Sequence, residues 1–289
     1  MLSSAAPGQV WRFGARCYDL DRRPLVMGIL NVTPDSFSDG SRFNSPERAV
    51  DRALAMIDEG ADIIDIGGES TRPNAPAVTV DDELQRVMPV IRRLAGKVSV
   101  PLSIDTFKAV VAKEALAAGV EIVNDISALT FDAHMAQAVA ASTAGLVLMH
   151  TRGRPEEMQR NTAYTDLVGE VAGALAEAVT RGEEAGIEPE RIVVDPGIGF
   201  GKSIAGNLEL LRRLGDLTTA GRPLLVGTSR KSFIGKVLGR EIDERLFGTA
   251  ATVAVAVMNG ARIVRVHDVR AMRDVVDMTW AIMKGGEGS

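Results

Sequence analysis

Eight short apolar runs recur along this chain, and polar or charged side chains follow them where helices are expected to begin. The runs cover residues 25–30, 63–66, 102–104, 122–123, 146–149, 192–194, 224–226 and 263–266. The polar side chains that follow include Asn31, Glu69, Asp105, Asn124, His150, Asp195, Lys231 and His267. A strand–helix unit repeated eight times predicts an α/β fold, the (β/α)8 TIM barrel, whose active site lies at the carboxyl ends of the strands. These polar residues are therefore candidate ligand-binding groups.

Helix start and stop signals separate the runs. Ser45 and Pro46 suit the start of the first helix, and Thr79 with Asp82 forms a variant of the capping box before the second. Glycines precede several strands, as helix C-caps do, at positions 60, 96, 119, 145, 186, 221 and 260. We predict a single barrel domain over residues 24–289, preceded by an extension over 1–23 that forms a short hairpin or lid. An open doubly wound sheet is the alternative, but no dinucleotide fingerprint follows the first run.

Length and charge limit the possible partners. The 289 residues suit one barrel, which typically needs about 250. A net charge of −5 argues against general nucleic-acid binding, and the longest apolar stretch, 250–258, is shorter than the roughly 20 residues of a membrane span. Cys17 is the single cysteine, which excludes an intramolecular disulfide and fits a reducing compartment. We expect a cytoplasmic protein that binds small molecules.

Basic groups follow the last two runs, where barrels often hold phosphate. Lys231 and Ser232 open a helical pattern, and Arg265 and His267 alternate so that both face the same side of a strand. This combination predicts a site for a phosphorylated or carboxylated ligand. The alternative is that Arg230, Lys231 and Arg265 form surface ion pairs.

Two carboxylates and an amide are expected at the same end of the barrel. Asp105, Asn124 and Asp195 each end a predicted strand. Buried carboxylates need a cation or several hydrogen-bond donors, and a heterocycle rich in N–H groups, such as a pterin or a guanine-like ring, would supply those donors. Asp105 could instead cap the next helix. The glycine-rich segment 195–202 fits neither the Walker A nor the GxGxxG pattern, but its glycines would let a flat ligand approach the backbone.

Two long polar segments, 31–40 and 67–74, follow the first two runs and resemble the mobile loops of a catalytic rim. Asn31, Asp35 and Asp39 offer hard oxygen ligands suited to a Mg²⁺ ion that bridges to a diphosphate. Solvated turns are the alternative interpretation, because Asn, Asp, Ser and Pro are all turn residues.

At these residues the chain resembles the dihydropteroate synthase family of pterin-binding barrels, from about residue 24 to the last helix. The matching segments are 27–40, 67–73, 103–106, 124–125, 148–150, 195–197, 229–232 and 265–268. Each segment is a weak signal, but this many in order is highly specific. The resemblance implies condensation of a dihydropterin that carries a hydroxymethyl diphosphate with 4-aminobenzoate. The products would be 7,8-dihydropteroate and diphosphate, with Mg²⁺ as cofactor and a homodimer as the assembly.

The resemblance also implies roles for individual residues. The implied pterin-binding residues are Asp105, Asn124, Ile126, Met149, Asp195, Phe200 and Lys231. The implied diphosphate-binding residues are Asn31, Arg265 and His267, with the metal near Asn31. The implied aminobenzoate-binding residues are Phe37, Thr71, Arg72, Pro73 and Ser232. The candidate catalytic residues are Asp105, Lys231, Arg265 and His267.

Two other functions use the same kind of barrel. A methyltetrahydrofolate-binding methyltransferase domain needs no diphosphate site, so the basic cluster at Lys231, Arg265 and His267 argues against it. A non-catalytic paralogue that binds pterins could tolerate damage to the segments 31–40 and 67–74, and both segments are intact here. We therefore expect a transferase that acts by dissociative loss of diphosphate.

Overall fold

The computed structural model describes residues 9–33, 45–70 and 77–285, and these contain ten strands. The strands are β1 (Val10–Phe13), β2 (Arg16–Asp19), β3 (Leu25–Asn31), β4 (Ile63–Gly67), β5 (Leu102–Asp105), β6 (Ile122–Asp125), β7 (Gly145–Met149), β8 (Ile192–Asp195), β9 (Leu224–Val226) and β10 (Ala261–Val266). Strands β3 to β10 are parallel and close into a barrel in sequence order, with β10 beside β3. All eight apolar runs are barrel strands, so the predicted TIM barrel is confirmed.

Helices cover the outside of the barrel. They are α1 (Ser45–Asp58), α2 (Val80–Leu94), α3 (Ala109–Ala117), α4 (Met135–Ala140), α5 (Leu167–Glu184), α6 (Ile204–Arg212), α7 (Ser232–Leu238), α8 (Leu246–Met258) and α9 (Val269–Met283). The predicted cap of α2 is confirmed, because Thr79 Oγ1 accepts a hydrogen bond from the Asp82 amide at 3.1 Å. Within the described ranges, no helix is long and apolar enough to cross a membrane.

One predicted helix stop is wrong. Gly145 is the first residue of β7 and does not have the positive φ of a C-cap. A Cβ at this position would lie 3.0 Å from ring atoms of Trp11 and Phe13. Position 145 therefore requires glycine because two aromatic rings pack against its backbone.

The predicted N-terminal hairpin is present. Strands β1 and β2 pair antiparallel, and Trp11 and Phe13 of β1 are buried against side chains from inside the barrel. Those side chains are Leu25, Met27, Ile63, Ile122, Val147, Val193, Leu225 and Ile263. Trp11 Nε1 also donates a hydrogen bond to the Arg191 carbonyl at 2.9 Å. The hairpin therefore closes the amino end of the barrel.

Alternation along the strands decides what faces the interior. The residues that face outward pack with the helices in one large core. The inward residues are apolar near the hairpin and become polar toward the carboxyl ends, because side chains of a strand point to the same face at every second position. The inward polar residues at the carboxyl ends are Asn31, Asp65, Asp105, Asn124, Asp195 and Arg265. The fold therefore collects charged groups at one end of the barrel.

Candidate active site

Arg265 of β10 is the central group of this polar end. Its Nε lies 2.6 Å from Asp65 Oδ2, and its Nη2 lies 2.6 Å from Asp105 Oδ2. The Asn124 side-chain amide donates a hydrogen bond to the same Asp65 oxygen at 3.0 Å. One guanidinium thus joins carboxylates from β4 and β5, and the amide from β6 completes the network.

Asp65 is the site residue that sequence reasoning missed. Asp65 lies within the apolar run 63–66, and the sequence predicts Glu69 as the polar group that follows this strand. Asp65 is 0% exposed and lies two positions after Ile63, whose side chain is in the barrel interior. An acidic residue at an inward position of a buried strand was the available signal, since an isolated buried carboxylate is costly.

The carboxylates share one arginine in a buried setting. Burial raises the pKa of Asp105 to about 7, although Arg265 opposes the shift and the charge of Asp65 adds to it. Burial lowers the pKa of Arg265, but the two carboxylates more than offset this and raise it above its usual value. Oδ1 of Asp65, Oδ1 of Asp105 and Oγ of Ser103 are buried and have no hydrogen-bond partner among the described residues. The site therefore has spare acceptors for N–H groups of a ligand.

Asp195 and Lys231 form the other side of the site. Asp195 is buried at the end of β8 and accepts a hydrogen bond from the Gly197 amide at 2.7 Å. Burial raises the pKa of Asp195, while Lys231 and the Gly197 amide oppose the shift. Burial lowers the pKa of Lys231 to about 8, with Asp195 opposing it. The Lys231 ammonium donates to the Ile198 carbonyl and lies 4.4 Å from the centre of the Phe200 ring.

The glycine-rich loop from Asp195 to Lys202 is shaped by contacts within the chain. Gly197 has φ +66°, and a Cβ there would lie 1.9 Å from the carbonyl oxygen of His150. Gly199 has φ +86°, and its Cβ would lie 2.8 Å from Lys231 Cδ. Both positions require glycine because of the backbone conformation and of neighbouring atoms. We expected these glycines to let a flat ligand approach the backbone, but the groups that lie against Gly197 and Gly199 are His150 and Lys231.

Arg230 is engaged in an ion pair outside the network of Arg265. It pairs with Asp268 at 2.6 Å, so the alternative that Arg230 forms a surface ion pair is confirmed. His267 is half-buried, and its Nδ1 lies 2.9 Å from Ser229 Oγ. Ser232 is exposed as the first residue of α7.

The alternative role of Asp105 as a helix cap is wrong. Lys108 occupies the N-cap position of α3, and its side chain makes no capping hydrogen bond. The first amide of the helix, that of Ala109, donates to Asp132 Oδ2 at 2.8 Å. The Asp105 carboxylate instead pairs with Arg265 inside the barrel.

Two of the polar residues that follow strands have partners of their own. Glu69 accepts from Lys108 Nζ at 2.6 Å, and the same ammonium pairs with the fully buried Glu83. His150 Nδ1 lies 2.9 Å from the buried Lys202 Nζ. Glu69 and His150 therefore belong to networks around the site.

The remaining predicted residues divide into two groups. Ile126 and Met149 are buried at the ends of β6 and β7, and Asn31 lies at the end of β3. Phe37, Thr71, Arg72, Pro73, Asp35 and Asp39 lie outside the described residues. Within the described part of the chain, no group of three or more His, Cys, Asp or Glu side chains could hold a metal ion. Asn31 is thus the one predicted metal ligand that the structure describes.

Comparison with known proteins identifies the class of this barrel. A model of the pterin binding enzyme family matches residues 27–267, which span every barrel strand except the first two residues of β3. The chain belongs to the pterin binding enzymes.

Individual relatives narrow the class. The chain is 49% identical to the dihydropteroate synthase of Synechocystis sp. over 92% of this chain and 94% of that enzyme. The dihydropteroate synthase of Xanthomonas albilineans with 4-aminobenzoic acid has a TM-score of 0.89 and 45% identity, covering 96% of this chain and 99% of that one. The same enzyme in complex with 7,8-dihydropteroate has a TM-score of 0.86 and 43% identity, covering 95% and 98%. Within the pterin binding enzymes, the chain belongs to the dihydropteroate synthases.

Proposed function

We infer that this chain condenses 6-hydroxymethyl-7,8-dihydropterin diphosphate with 4-aminobenzoate to give 7,8-dihydropteroate and diphosphate. The observation that carries the inference is the network in which Arg265 joins Asp65 and Asp105 at the end of the barrel that also holds Asp195 and Lys231. Acidic and basic groups from distant parts of the chain meet at one rim. This arrangement suits a substrate that has a ring rich in N–H donors and an anionic tail.

We propose that the acidic side of the site binds the edge of the pterin ring. Asp195 would accept N–H groups of the ring, and Asn124 and Asp105 would bond further along its edge, helped by the spare buried oxygens. Lys231 would donate to a ring acceptor, because its ammonium lies 4.4 Å from the centre of the Phe200 ring and interacts electrostatically with Asp195. Ile126, Met149 and Phe200 would pack against the ring faces.

Arg265 and His267 would bind the diphosphate. The C–O bond between the methylene carbon and the diphosphate breaks, and its electron pair stays on the departing oxygen. The electron-rich ring delocalises the positive charge left on the carbon, and the Asp105 carboxylate favours that charge. Arg265 carries a fixed positive charge beside this point, which stabilises the leaving group.

In the second step of the reaction, the protein mainly has to position 4-aminobenzoate beside the carbon that has lost diphosphate. The neutral amine of 4-aminobenzoate is nucleophilic, so it forms the new C–N bond and then loses one proton to solvent. We propose that Ser232, at the exposed start of α7, lies against the aminobenzoate together with Phe37, Thr71, Arg72 and Pro73.

A Mg²⁺ ion is proposed beside Asn31. Mg²⁺ is commonly held by about one or two protein oxygens together with substrate phosphates and water. The Asn31 amide oxygen suits this chemistry, because it lies at the barrel mouth near Asp105, across from Gly67. The ion would neutralise charge on the diphosphate. Activity should disappear with a chelator and return with added Mg²⁺, whereas full activity in the chelator would remove the metal from the proposal.

Diphosphate release that requires both substrates tests the proposed function. The purified protein is incubated with the dihydropterin diphosphate, with and without 4-aminobenzoate, and diphosphate and dihydropteroate are quantified. Equal amounts of both products, formed when both substrates are present, support the synthase. Pterin binding without turnover would identify a non-catalytic paralogue. Methyl transfer from methyltetrahydrofolate would identify the methyltransferase alternative.

Two substitutions test the roles of the acidic and basic groups. Asp195→Asn should abolish pterin binding while the fold survives, and Asp274→Asn on the exposed side of α9 is its control. Arg265→Ala should slow diphosphate loss, and Arg213→Ala in a surface ion pair is its control. Unchanged pterin affinity would discard the assigned role of Asp195, and a wild-type rate would remove Arg265 from diphosphate departure.

A homodimer in the cytoplasm is proposed from the family resemblance and the cysteine content. The apolar late helices could supply the contact, since Phe247 of α8 and Ile282 of α9 are exposed. Sedimentation of the purified chain tests the assembly. A monomer at micromolar concentration would contradict the proposed dimer.

A further inference from the structure

Lys202 is a buried lysine to which the proposed reaction gives no role. It ends the glycine-rich loop after β8 and is only 3% exposed. Its ammonium lies 2.9 Å from His150 Nδ1 and 2.9 Å from the Phe200 carbonyl, with the His150 carbonyl at 3.4 Å. A buried ammonium is retained at a cost unless its donors are satisfied, and here three acceptors surround it.

These contacts join the ends of two neighbouring strands. His150 directly follows β7, and its amide donates to the Asp195 carbonyl of β8 at 2.9 Å. Gly197 lies against the His150 carbonyl. Lys202 adds a contact from the far end of the loop, because it bonds both to His150 and to Phe200. The loop that begins at Asp195 is therefore bonded at both of its ends to His150, the residue that follows β7.

The charges around Lys202 fit this role. Burial lowers the pKa of Lys202 to about 7, with Asp195 opposing the shift and Lys231 and Arg152 adding to it. Burial lowers the pKa of His150 to about 3, and the charges of Lys202 and Arg152 act in the same direction. Between these two pKa values the His150 ring is neutral and Lys202 is an ammonium, so Nδ1 accepts a hydrogen bond from it. The proton of the ring must then be on Nε2.

We propose that Lys202 is a positioning residue for the pterin: it fastens the loop after β8 to His150 and so holds Asp195 and Phe200 where they bind the ring. The inference rests on the proposed function for the identity of the ligand. The contact between Lys202 and His150 can be tested without any substrate.

Binding measurements test the positioning role. Lys202→Met keeps a long, unbranched side chain but removes the N–H donors of the ammonium. The Kd for the dihydropterin diphosphate should therefore rise by about tenfold or more, as loss of a charged hydrogen bond predicts. The KM for 4-aminobenzoate should stay within about twofold, because the hydrogen bonds of the Lys202 ammonium go to His150 and Phe200. Lys202→Arg should recover part of the pterin affinity. Lys113→Met on the exposed side of α3 controls for the loss of one lysine and should change neither constant.

The imidazole nitrogens supply a readout that general loosening would not imitate. The chain has only three histidines, so ¹⁵N resonances of His150 can be assigned by substitution. In the wild-type protein we expect Nε2 protonated and Nδ1 shifted as a hydrogen-bond acceptor at about pH 5, which lies between the pKa values of His150 and Lys202. Lys202→Met should move the Nδ1 resonance, and Lys202→Arg should move it less.

Each outcome is decisive. A protonated Nδ1 in the wild-type protein, or no change in its resonance on Lys202→Met, overturns the contact. A changed resonance with unchanged pterin Kd overturns the positioning role and leaves the proposed function standing. Failure of the wild-type protein to bind the pterin would instead refute the proposed function. If Lys202→Met does not fold, Lys202→Gln and the wild-type spectrum carry the same tests.

Discussion

Gly197→Ala tests how tightly the loop after β8 is held. The substitution places a Cβ 1.9 Å from the His150 carbonyl oxygen, at a residue with φ +66°. The obstacle is a main-chain oxygen, and the His150 amide is itself bonded to Asp195, so neither side can move alone. The backbones of β7 and β8 must separate to admit the methyl group.

Gly239→Ala is a matched control. Gly239 has φ +64° at the end of α7, and no described atom lies within 4 Å of its added Cβ. Both variants carry the left-handed conformation, which costs a non-glycine residue about 1–2 kcal/mol. Gly197→Ala adds the overlap, and overpacking of this kind costs about 1–3 kcal/mol. The expected free-energy loss is therefore about 1–2 kcal/mol for Gly239→Ala and about 2–5 kcal/mol for Gly197→Ala.

Urea unfolding of the two variants measures these losses. The chain has two tryptophans, Trp11 at the closed end of the barrel and Trp280 on α9, and circular dichroism supplies a second probe. Gly197→Ala should also weaken pterin binding, because the Gly197 amide donates to Asp195. Equal losses of stability in the two variants would refute the claim that His150 limits this position.

Three further predictions concern buried charges. Asp65→Asn should lower the pKa of Asp105, because the charge of Asp65 raises it. In a plot of kcat/KM against pH, the acid limb should therefore move to lower pH. An acid limb at the same pH contradicts this prediction. The raised pKa of Asp105 means that the folded state holds a proton that the unfolded state has lost, so wild-type stability should fall from about pH 4 to about pH 7. Asp105→Asn should flatten that slope in urea unfolding, and an identical slope would be the contrary result. Lys108→Met leaves Glu83 buried without its cation and should lower the free energy of unfolding by about 3 kcal/mol. The loss should be smaller at pH 5 than at pH 8, because Glu83 takes up a proton at the lower pH. A loss below about 1 kcal/mol would show that the ion pair contributes little to stability.

Sequence reasoning succeeded where the signal is local. Apolar runs of strand length predicted all eight barrel strands, and the pair Thr79 and Asp82 predicted the start of α2. Each prediction depends on residues within a few positions of one another. The alternation of Arg265 and His267 likewise predicted a charged group facing inward at this end, and Arg265 pairs there with Asp65 and Asp105.

Sequence reasoning failed for contacts that depend on which strands are neighbours in the barrel and on their register. Arg265 and Asp65 are 200 positions apart, on strands β10 and β4 that flank β3, and only the closed register of the barrel brings their side chains together. The pairing of Lys202 with His150 is of the same kind, because it joins two loops 52 positions apart. Gly145 misled for the same reason: the rings that exclude a side chain there come from β1, far away in sequence.

The hairpin beneath the barrel affects how the protein can be shortened. The family match begins at residue 27, so trimming the chain to that limit would discard Trp11 and Phe13 and let water into the interior. Trp280 Nε1 donates to the Arg22 carbonyl at 2.7 Å, so the same cut would also release the last helix from its anchor. A fragment that keeps the barrel closed at this end therefore starts no later than Val10, well before the first residue of the family match.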